Sequence, residues 1–277
     1  MSTPKVAVLG GGVMGETVAA AVLAAGWAGW SVTVAEPREA RRAELAEKHG
    51  LAAAATAAQA VAGAGIVVVA VKPNQVGAVL DEIAGALDEG VVVVTVAAGL
   101  PAAFYEERLP QGTPVVRVMP NTPAVIGKGA SAIAPGAHAS EEHVALAERL
   151  LASTGLVVRV AEKDLDAVTA VSGSGPAYVF YVIDAMAEAG VLLGLSRELA
   201  TQLAVATVEG SGALVSQTGE HPAVLRERVS SPGGTTVAAL QVLDEHGVRA
   251  GILAAAERCR DRSRELGAPA PGGSPAP

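Results

Sequence analysis

The stretch KVAVLGGGVMGETVAAAVLA, Lys5 to Ala24, reads as a short apolar strand, a glycine turn and an Ala-rich helix. Gly10, Gly12 and Gly15 stand in G-x-G-x-x-G spacing between strand and helix. In that setting the first glycine permits the tight turn, the second removes the side chain where a pyrophosphate must approach, and the third lets helix and strand pack closely. The N–H groups that open the helix, at Val13 and Met14, then face the anion. The motif is weak alone. Here it follows a strand, precedes a helix and opens an α/β repeat, so a site for a nicotinamide dinucleotide is expected.

Outward from this turn, short Val/Ile runs alternate with Ala-rich amphipathic segments as far as Ala161, the pattern of a parallel sheet covered by helices. Strands are expected at Lys5–Leu9, Ser31–Ala35, Ile66–Val71, Val91–Val96, Pro114–Val118, Ser131–Ala134 and Leu156–Val160. Helices are expected at Met14–Ala25, Arg38–His49, Gln75–Leu87, Ala102–Arg108 and Glu141–Ser153. This is a Rossmann-type, doubly wound α/β domain over residues 1–161. From 162 to 266 the strand runs stop and helical patterns take over, with breaks at Ser172–Pro176, Gly194–Ser196, Gly219–Pro222 and Ser230–Gly234. The second domain is therefore expected to be all-α. Ala177–Val191 and Leu199–Leu214 are apolar around most of their circumference, which demands burial on more than one side. A domain of about 105 residues cannot cover such faces alone, so a homodimer or larger assembly is expected. The tail from Gly267, GAPAPGGSPAP, reads as disordered.

Composition narrows the function classes. The 277 residues are 51% hydrophobic but only 3% aromatic, and the formal net charge is −8 with Lys and Arg scattered. A nucleic-acid surface would need a basic patch, so small molecules are the expected partners. Cys259 is the only cysteine, which excludes an intramolecular disulfide and a multi-cysteine zinc site. His49, His138, His143, His221 and His246 lack the paired spacing of metal ligands, so no metal site is expected. Residues Met1 to Pro4 run straight into a strand without a charged-then-apolar leader, which points to the cytoplasm. Leu51 to Val71 carries no charge and is long enough to raise a membrane span. Thr56, Gln59 and the Gly63/Gly65 break make it an Ala-rich segment followed by a buried strand instead, so no membrane partner is expected.

Cofactor choice stays open. Glu36 ends the second strand about twenty residues after Gly15, where a carboxylate would bond the adenosine ribose hydroxyls of NAD and repel the extra phosphate of NADP. Arg38, Arg41 and Arg42 follow at once and could instead clamp that phosphate. Three loops lie beyond the carboxyl ends of later strands, where a doubly wound sheet places its ligand: Lys72-Pro73-Asn74, Ala97-Ala98-Gly99 and Met119-Pro120-Asn121-Thr122-Pro123. Their Asn and Thr side chains can bond a carboxamide or ribose. The most informative segment is SSPGGTT, Ser230 to Thr236, ahead of an Ala/Leu-rich helix. Two glycines and several hydroxyls at a helix start form a nest of N–H donors suited to a carboxylate, more than an N-cap requires.

VAVLGGGVMG, AVKPNQV, VVRVMPNTPA, AVSGSGPAYVF and PAVLRERVSSPGGTTVAALQVLD together resemble the pyrroline-5-carboxylate reductase family, from Lys5 to Leu266. The resemblance implies the final step of proline synthesis, NAD(P)H-dependent reduction of 1-pyrroline-5-carboxylate to L-proline. It also implies a helical domain interleaved with its partner, a substrate pocket at the dimer interface, and dimers that often assemble into decamers. By position it implies that Ser231, Gly233, Gly234 and Thr235 hold the substrate carboxylate, with Thr236 facing the ring nitrogen. Val71, Lys72, Pro73, Ala97, Met119, Pro120 and Asn121 resemble cofactor contacts, and Ser174 and Gly175 would lie close to the nicotinamide. Many bacterial members carry Asn-Arg-Ser or Asn-Arg-Thr after the second strand and favour NADP. This chain has Glu36-Pro37-Arg38, which leaves NADP(H) and NAD(H) both open.

No positioned His or carboxylate pair stands in the candidate pocket. A protonated cyclic imine is already electrophilic, so hydride transfer needs mainly alignment, and Thr236 is the candidate catalytic residue at the ring nitrogen. A β-hydroxyacid dehydrogenase shares the two-domain plan but resembles its relatives in carrying a catalytic Lys on the first interdomain helix. No Lys or Arg lies between Lys163 and Arg197 here. A non-catalytic cofactor sensor would have no use for the intact SSPGGTT loop.

Overall fold

The computed structural model describes residues 4–267. The expected disordered tail lies outside the described residues, except for Gly267, which ends the last helix. So do residues 1–3, on which part of the expectation about a leader rests. The chain forms two compact units, one of residues 4–174 with 259–267 and the other of residues 175–258.

The first unit is built on an eight-stranded sheet: β1 (Val6–Leu9), β2 (Val32–Ala35), β3 (Ala52–Ala54), β4 (Ile66–Val69), β5 (Val92–Thr95), β6 (Val115–Met119), β7 (Gly129–Pro135) and β8 (Gly155–Arg159). Their spatial order is β3-β2-β1-β4-β5-β6-β7-β8. Helices α1 (Val13–Ala24), α2 (Glu39–His49), α3 (Ala57–Val61), α4 (Pro73–Ile83), α5 (Ala102–Glu106) and α6 (Glu141–Leu151) connect them, and α7 (Leu165–Val168) follows the sheet. The central strands are apolar on both faces because both are covered. Val6, Val8, Val32, Val34, Ile66 and Val68 pack under α1, α2 and α6 through Val18, Val22, Leu45 and Leu150. Ala7, Leu9, Val67, Val69 and Val93 point the other way, onto Val61 of α3, Val76 and Leu80 of α4 and Tyr105 of α5. Strand order reverses between β1 and β4, so their carboxyl ends flank the crevice that such sheets use for ligands.

The structure departs from expectation at four places. First, the uncharged run after Leu51 contains a strand and a short helix, β3 and α3, that its alanines concealed. Alanine is a poor strand former, and here parallel pairing with β2 decides. Second, β7 runs antiparallel to β6. Only residues 120–128 link the two strands, too few for the crossover a parallel pair needs. Third, the supposed break at Ser172–Pro176 is a π-helical turn, Thr169–Gly173, that runs almost directly into a helix, with the Ser174 N–H bonded to the Thr169 carbonyl at 2.8 Å. Pro176 is tolerated because it stands in the first turn of that helix. Fourth, the final helical run is interrupted at His246 and at Gly247, whose φ of +66° suits glycine.

The second unit is all-α: α8 (Gly175–Leu192), α9 (Arg197–Thr218), α10 (Pro222–Arg228), α11 (Thr235–Glu245) and the first half of α12 (Val248–Gly267). α8 packs closely on α9, where a Cβ on Gly190 would fall 2.7 Å from that of Ala200. Ala187, Ala200 and Ala204 are buried, whereas Phe180, Tyr181, Leu192 and Leu193 are exposed in the single chain.

Candidate active site

The glycines of the first turn divide their work. Gly10 has φ +110°, and a Cβ there would meet the Ala70 carbonyl oxygen at 2.9 Å. Gly15 opens no unusual dihedral, yet its Cβ would fall 1.8 Å from the Gly10 carbonyl oxygen, so α1 crosses the turn at a distance only glycine permits. Gly12 differs from both. It is the N-cap of α1 at φ −73°, it has no side-chain cap, and a Cβ would meet nothing within 4 Å. Neither backbone strain nor packing asks for glycine there, which fits space held for an anion against the first N–H groups of α1. Val13 is exposed at the start of α1, while Met14 packs against the core.

A cavity of about 540 Å³ opens beside this turn, lined by Gly10, Gly11, Gly12, Glu36, Arg38 and Lys72 among others. Glu36 is only 4% exposed. Its Oε1 accepts from the Arg38 backbone N–H at 3.0 Å and the Arg38 side-chain Nε–H at 2.8 Å. The Arg38 guanidinium, helped by that backbone N–H and by the one at Gly11, holds the carboxyl below its usual range against the opposing effect of burial. Arg41 donates to the Gly11 carbonyl at 2.9 Å and pairs with Glu16 and Glu44. Arg42 donates to the carbonyls of Glu36 and Pro37. Glu16 also receives Lys48 and His49, and these contacts take its carboxyl down to about 2.

The later loops are held from within. Lys72 caps α4 with Pro73 in its first turn, both exposed. The Ala97 N–H donates to Thr95 Oγ1 at 3.3 Å, and that hydroxyl donates to the buried Tyr105 phenol at 2.7 Å. Pro120 and Asn121 are buried. Asn121 donates from Nδ2 to the Ser172 carbonyl at 3.1 Å and accepts the Ala130 N–H on Oδ1 at 2.8 Å, tying its loop to the π-helical turn. Met119 presses on the same turn, since a Cβ on Gly173 would fall 2.4 Å from its Cε. Ser174 accepts a hydrogen bond from Cys259 Sγ at 3.2 Å.

In the second unit, SSPGGTT forms a turn closed by the Gly234 N–H on the Ser231 carbonyl at 2.9 Å. Gly233 adopts φ +66°, and a Cβ on Gly234 would strike Ser231 Oγ at 2.3 Å. Gly234 then opens α11 with no side-chain cap. Thr235 is exposed and Thr236 half-buried in its first turn, whose N–H groups have no partner within the helix. Among the described residues no cluster of three or more His, Cys, Asp or Glu could hold a metal, and no helix is long and apolar enough to cross a membrane.

A family model for pyrroline-5-carboxylate reductase dimerisation matches residues 162–266, and one described as NADP oxidoreductase, coenzyme F420-dependent, matches residues 5–99. The chain is 45% identical to pyrroline-5-carboxylate reductase of Corynebacterium melassecola, over 95% of this chain and 98% of that one. It belongs to the pyrroline-5-carboxylate reductase family. The solved reductase of Coxiella burnetii superposes with a TM-score of 0.90 at 31% identity, covering 97% of this chain and all of that one. The Plasmodium falciparum reductase, solved with NADP bound, gives 0.87 at 28% identity and the same coverage.

Of the cofactor positions expected from the sequence, the cavity collects Gly10, Gly12, Glu36, Arg38, Val71 and Lys72. Gly15 stands behind the turn, and Pro73, Ala97, Met119, Pro120, Asn121 and Ser174 are not in its lining. Gly11, Thr56 and Gln75 line it without having been singled out from the sequence. Thr56 escaped because β3 escaped. Gly11 carried a signal: it is the middle member of a GGG run, and its Cβ would meet Leu45 Cδ1 at 2.8 Å.

Proposed function

We propose that this chain reduces 1-pyrroline-5-carboxylate to L-proline with NAD(P)H, the final step of proline synthesis. The observation that carries this reading is a pair of helices, α1 and α11, each opened by glycine with no side-chain cap. One start suits a pyrophosphate and the other a carboxylate, the two anionic groups this reaction must hold.

The residues present fit a dinucleotide: Gly12 leaves a cradle a Cβ would fill, Gly10 and Gly15 hold it in shape, and Glu36 and Lys72 line the adjoining cavity. When bound, the reduced nicotinamide supplies the hydride. The carboxylate of the substrate lies against the N–H groups and hydroxyls of Ser231, Gly233, Gly234 and Thr235. Thr236 orients the ring nitrogen, and the π electrons of the protonated C=N bond become the nitrogen lone pair as the carbon accepts hydride. Asn121 and Tyr105 keep two loops in register from inside the fold.

In this reading residues 1–161 form the dinucleotide domain, residues 162–266 the substrate and dimerisation domain, and the protein works in the cytoplasm as a homodimer, with decamers as the larger assembly. The exposed Leu192 and Leu193 then belong to the dimer interface. A steady-state assay with 1-pyrroline-5-carboxylate and each reduced nicotinamide tests the reading. Proline formation by the folded protein is expected. Absence of turnover with both cofactors at millimolar substrate rejects it.

A further inference from the structure

On the reading above, which this step rests on, we infer that Glu36 makes the site favour a dinucleotide with free adenosine ribose hydroxyls, NADH, over one carrying a 2′-phosphate. Arg38 is the counter-charge of Glu36 and does not serve as a phosphate clamp.

The inference comes from how the charges after β2 are committed. Glu36 ends that strand, is 4% exposed and lines the cavity beside the glycine turn. Its carboxylate is held close to that turn: a Cβ on Gly11 would sit 3.0 Å from Oε2. It therefore stands where an acidic side chain meets the ribose hydroxyls. Counted along the sequence, three arginines oppose it. In the fold none stands uncommitted. Arg41 holds the Gly11 carbonyl, Glu16 and Glu44, and is largely buried. Arg42 is spent on the carbonyls of Glu36 and Pro37. Arg38 is the exposed one, at 69%, and its guanidinium meets both oxygens of Glu36, at 2.8 and 3.3 Å.

A 2′-phosphate entering here would have to pull Arg38 off a carboxylate that is ionised at neutral pH and then lie beside that carboxylate. A ribose hydroxyl instead donates to it and leaves the pair intact. The remaining cation of the lining, Lys72, follows β4 across the switch point from the end of β2. The lining adds a second acid, Glu82, and no other base.

The test is binding to the whole protein in the absence of substrate, by titration calorimetry with NADH and NADPH. The wild type is expected to bind NADH at least about tenfold more tightly, and Glu36→Gln to move the ratio at least about tenfold toward NADPH. Gln keeps the volume and an oxygen for the Gly11 N–H, while it removes the charge and releases Arg38. Adenosine 2′,5′-bisphosphate against AMP on the wild type gives a reading independent of the variant's folding, with AMP expected to bind more tightly. Tighter NADPH binding by the wild type, tighter binding of the bisphosphate, or an unchanged ratio in a folded Glu36→Gln protein overturns the inference alone. Failure of both dinucleotides to bind overturns the cofactor reading and this inference with it.

Discussion

Gly12 and Gly15 belong to one motif, yet alanine should do opposite things at the two positions. At Gly15 the new Cβ would lie 1.8 Å from a backbone oxygen, more than 1 Å inside any real Cβ contact, so α1 or the turn must move. Overpacking against backbone costs about 3 kcal/mol, at the upper end of its usual range. For a chain of this size that lowers Tm by roughly 6–12 °C. At Gly12 the Cβ meets nothing and φ is −73°. Losing glycine at an N-cap costs about 0.5–1 kcal/mol, and stiffening the unfolded chain returns about 0.4–1 kcal/mol. The net change in Tm should stay within about 2 °C. Dinucleotide affinity should still fall, because a methyl group in the cradle costs at least one charge-assisted N–H contact, about 1.5–3 kcal/mol or roughly 10- to 150-fold in Kd. Thermal melts of the cofactor-free proteins, paired with titration of NADH fluorescence, measure both. If Gly12→Ala melts as early as Gly15→Ala, or binds as tightly as wild type, the assignment of Gly12 to the ligand is wrong.

Three further outcomes are expected. Thr236→Ala should lower kcat/KM for 1-pyrroline-5-carboxylate by more than about tenfold, the loss of one transition-state hydrogen bond, and unchanged kinetics in the folded variant would reject that role. Glu16, held down to about 2 from an ordinary 4.5 by hydrogen bonds from Lys48, His49 and Arg41, contributes stability that is fully present above pH 4.5 and lost as the pH falls through 2. Urea melts should therefore show wild type about 1–2 kcal/mol more stable than Glu16→Gln at pH 6, after allowance for screening, with the gap closing by pH 2; a gap independent of pH would contradict it. Leu192 and Leu193 are 87% and 83% exposed in the single chain, so Leu192→Asp with Leu193→Asp should convert a sedimenting dimer to monomer, and a monomeric wild type at micromolar concentration would refute the dimer.

Most of the sheet could be read from its residues because Val and Ile runs covered on both faces leave a strong trace: VAVL, IVVV and VVVT admit little else. β3 left none, since three alanines acquire strand geometry only from the neighbour they pair with. The reversal of β7 is a different case. Strand composition does not encode direction, but the short link after β6 does, and loop length carried the information that the Val/Ile pattern lacked.

The same division separates what could be known about the site. Spacing located the glycine turn, because G-x-G-x-x-G is a statement about backbone geometry, and backbone geometry is local. Side-chain commitment is not local. Asn121 reads along the chain as a ligand for a carboxamide, since it is polar and lies beyond a strand's carboxyl end. Folded, it donates to Ser172 and accepts from Ala130, 51 and 9 residues away. Arg41 and Arg42 read as phosphate clamps and are occupied by backbone carbonyls. In each case the sequence supplies a hydrogen-bonding group and the fold decides who receives it. A buried donor left without a protein partner is expensive. The fold therefore fills such demands first, and the positions left open to a ligand are those where it withheld a side chain, as at Gly12, or left a helix uncapped, as at Gly234.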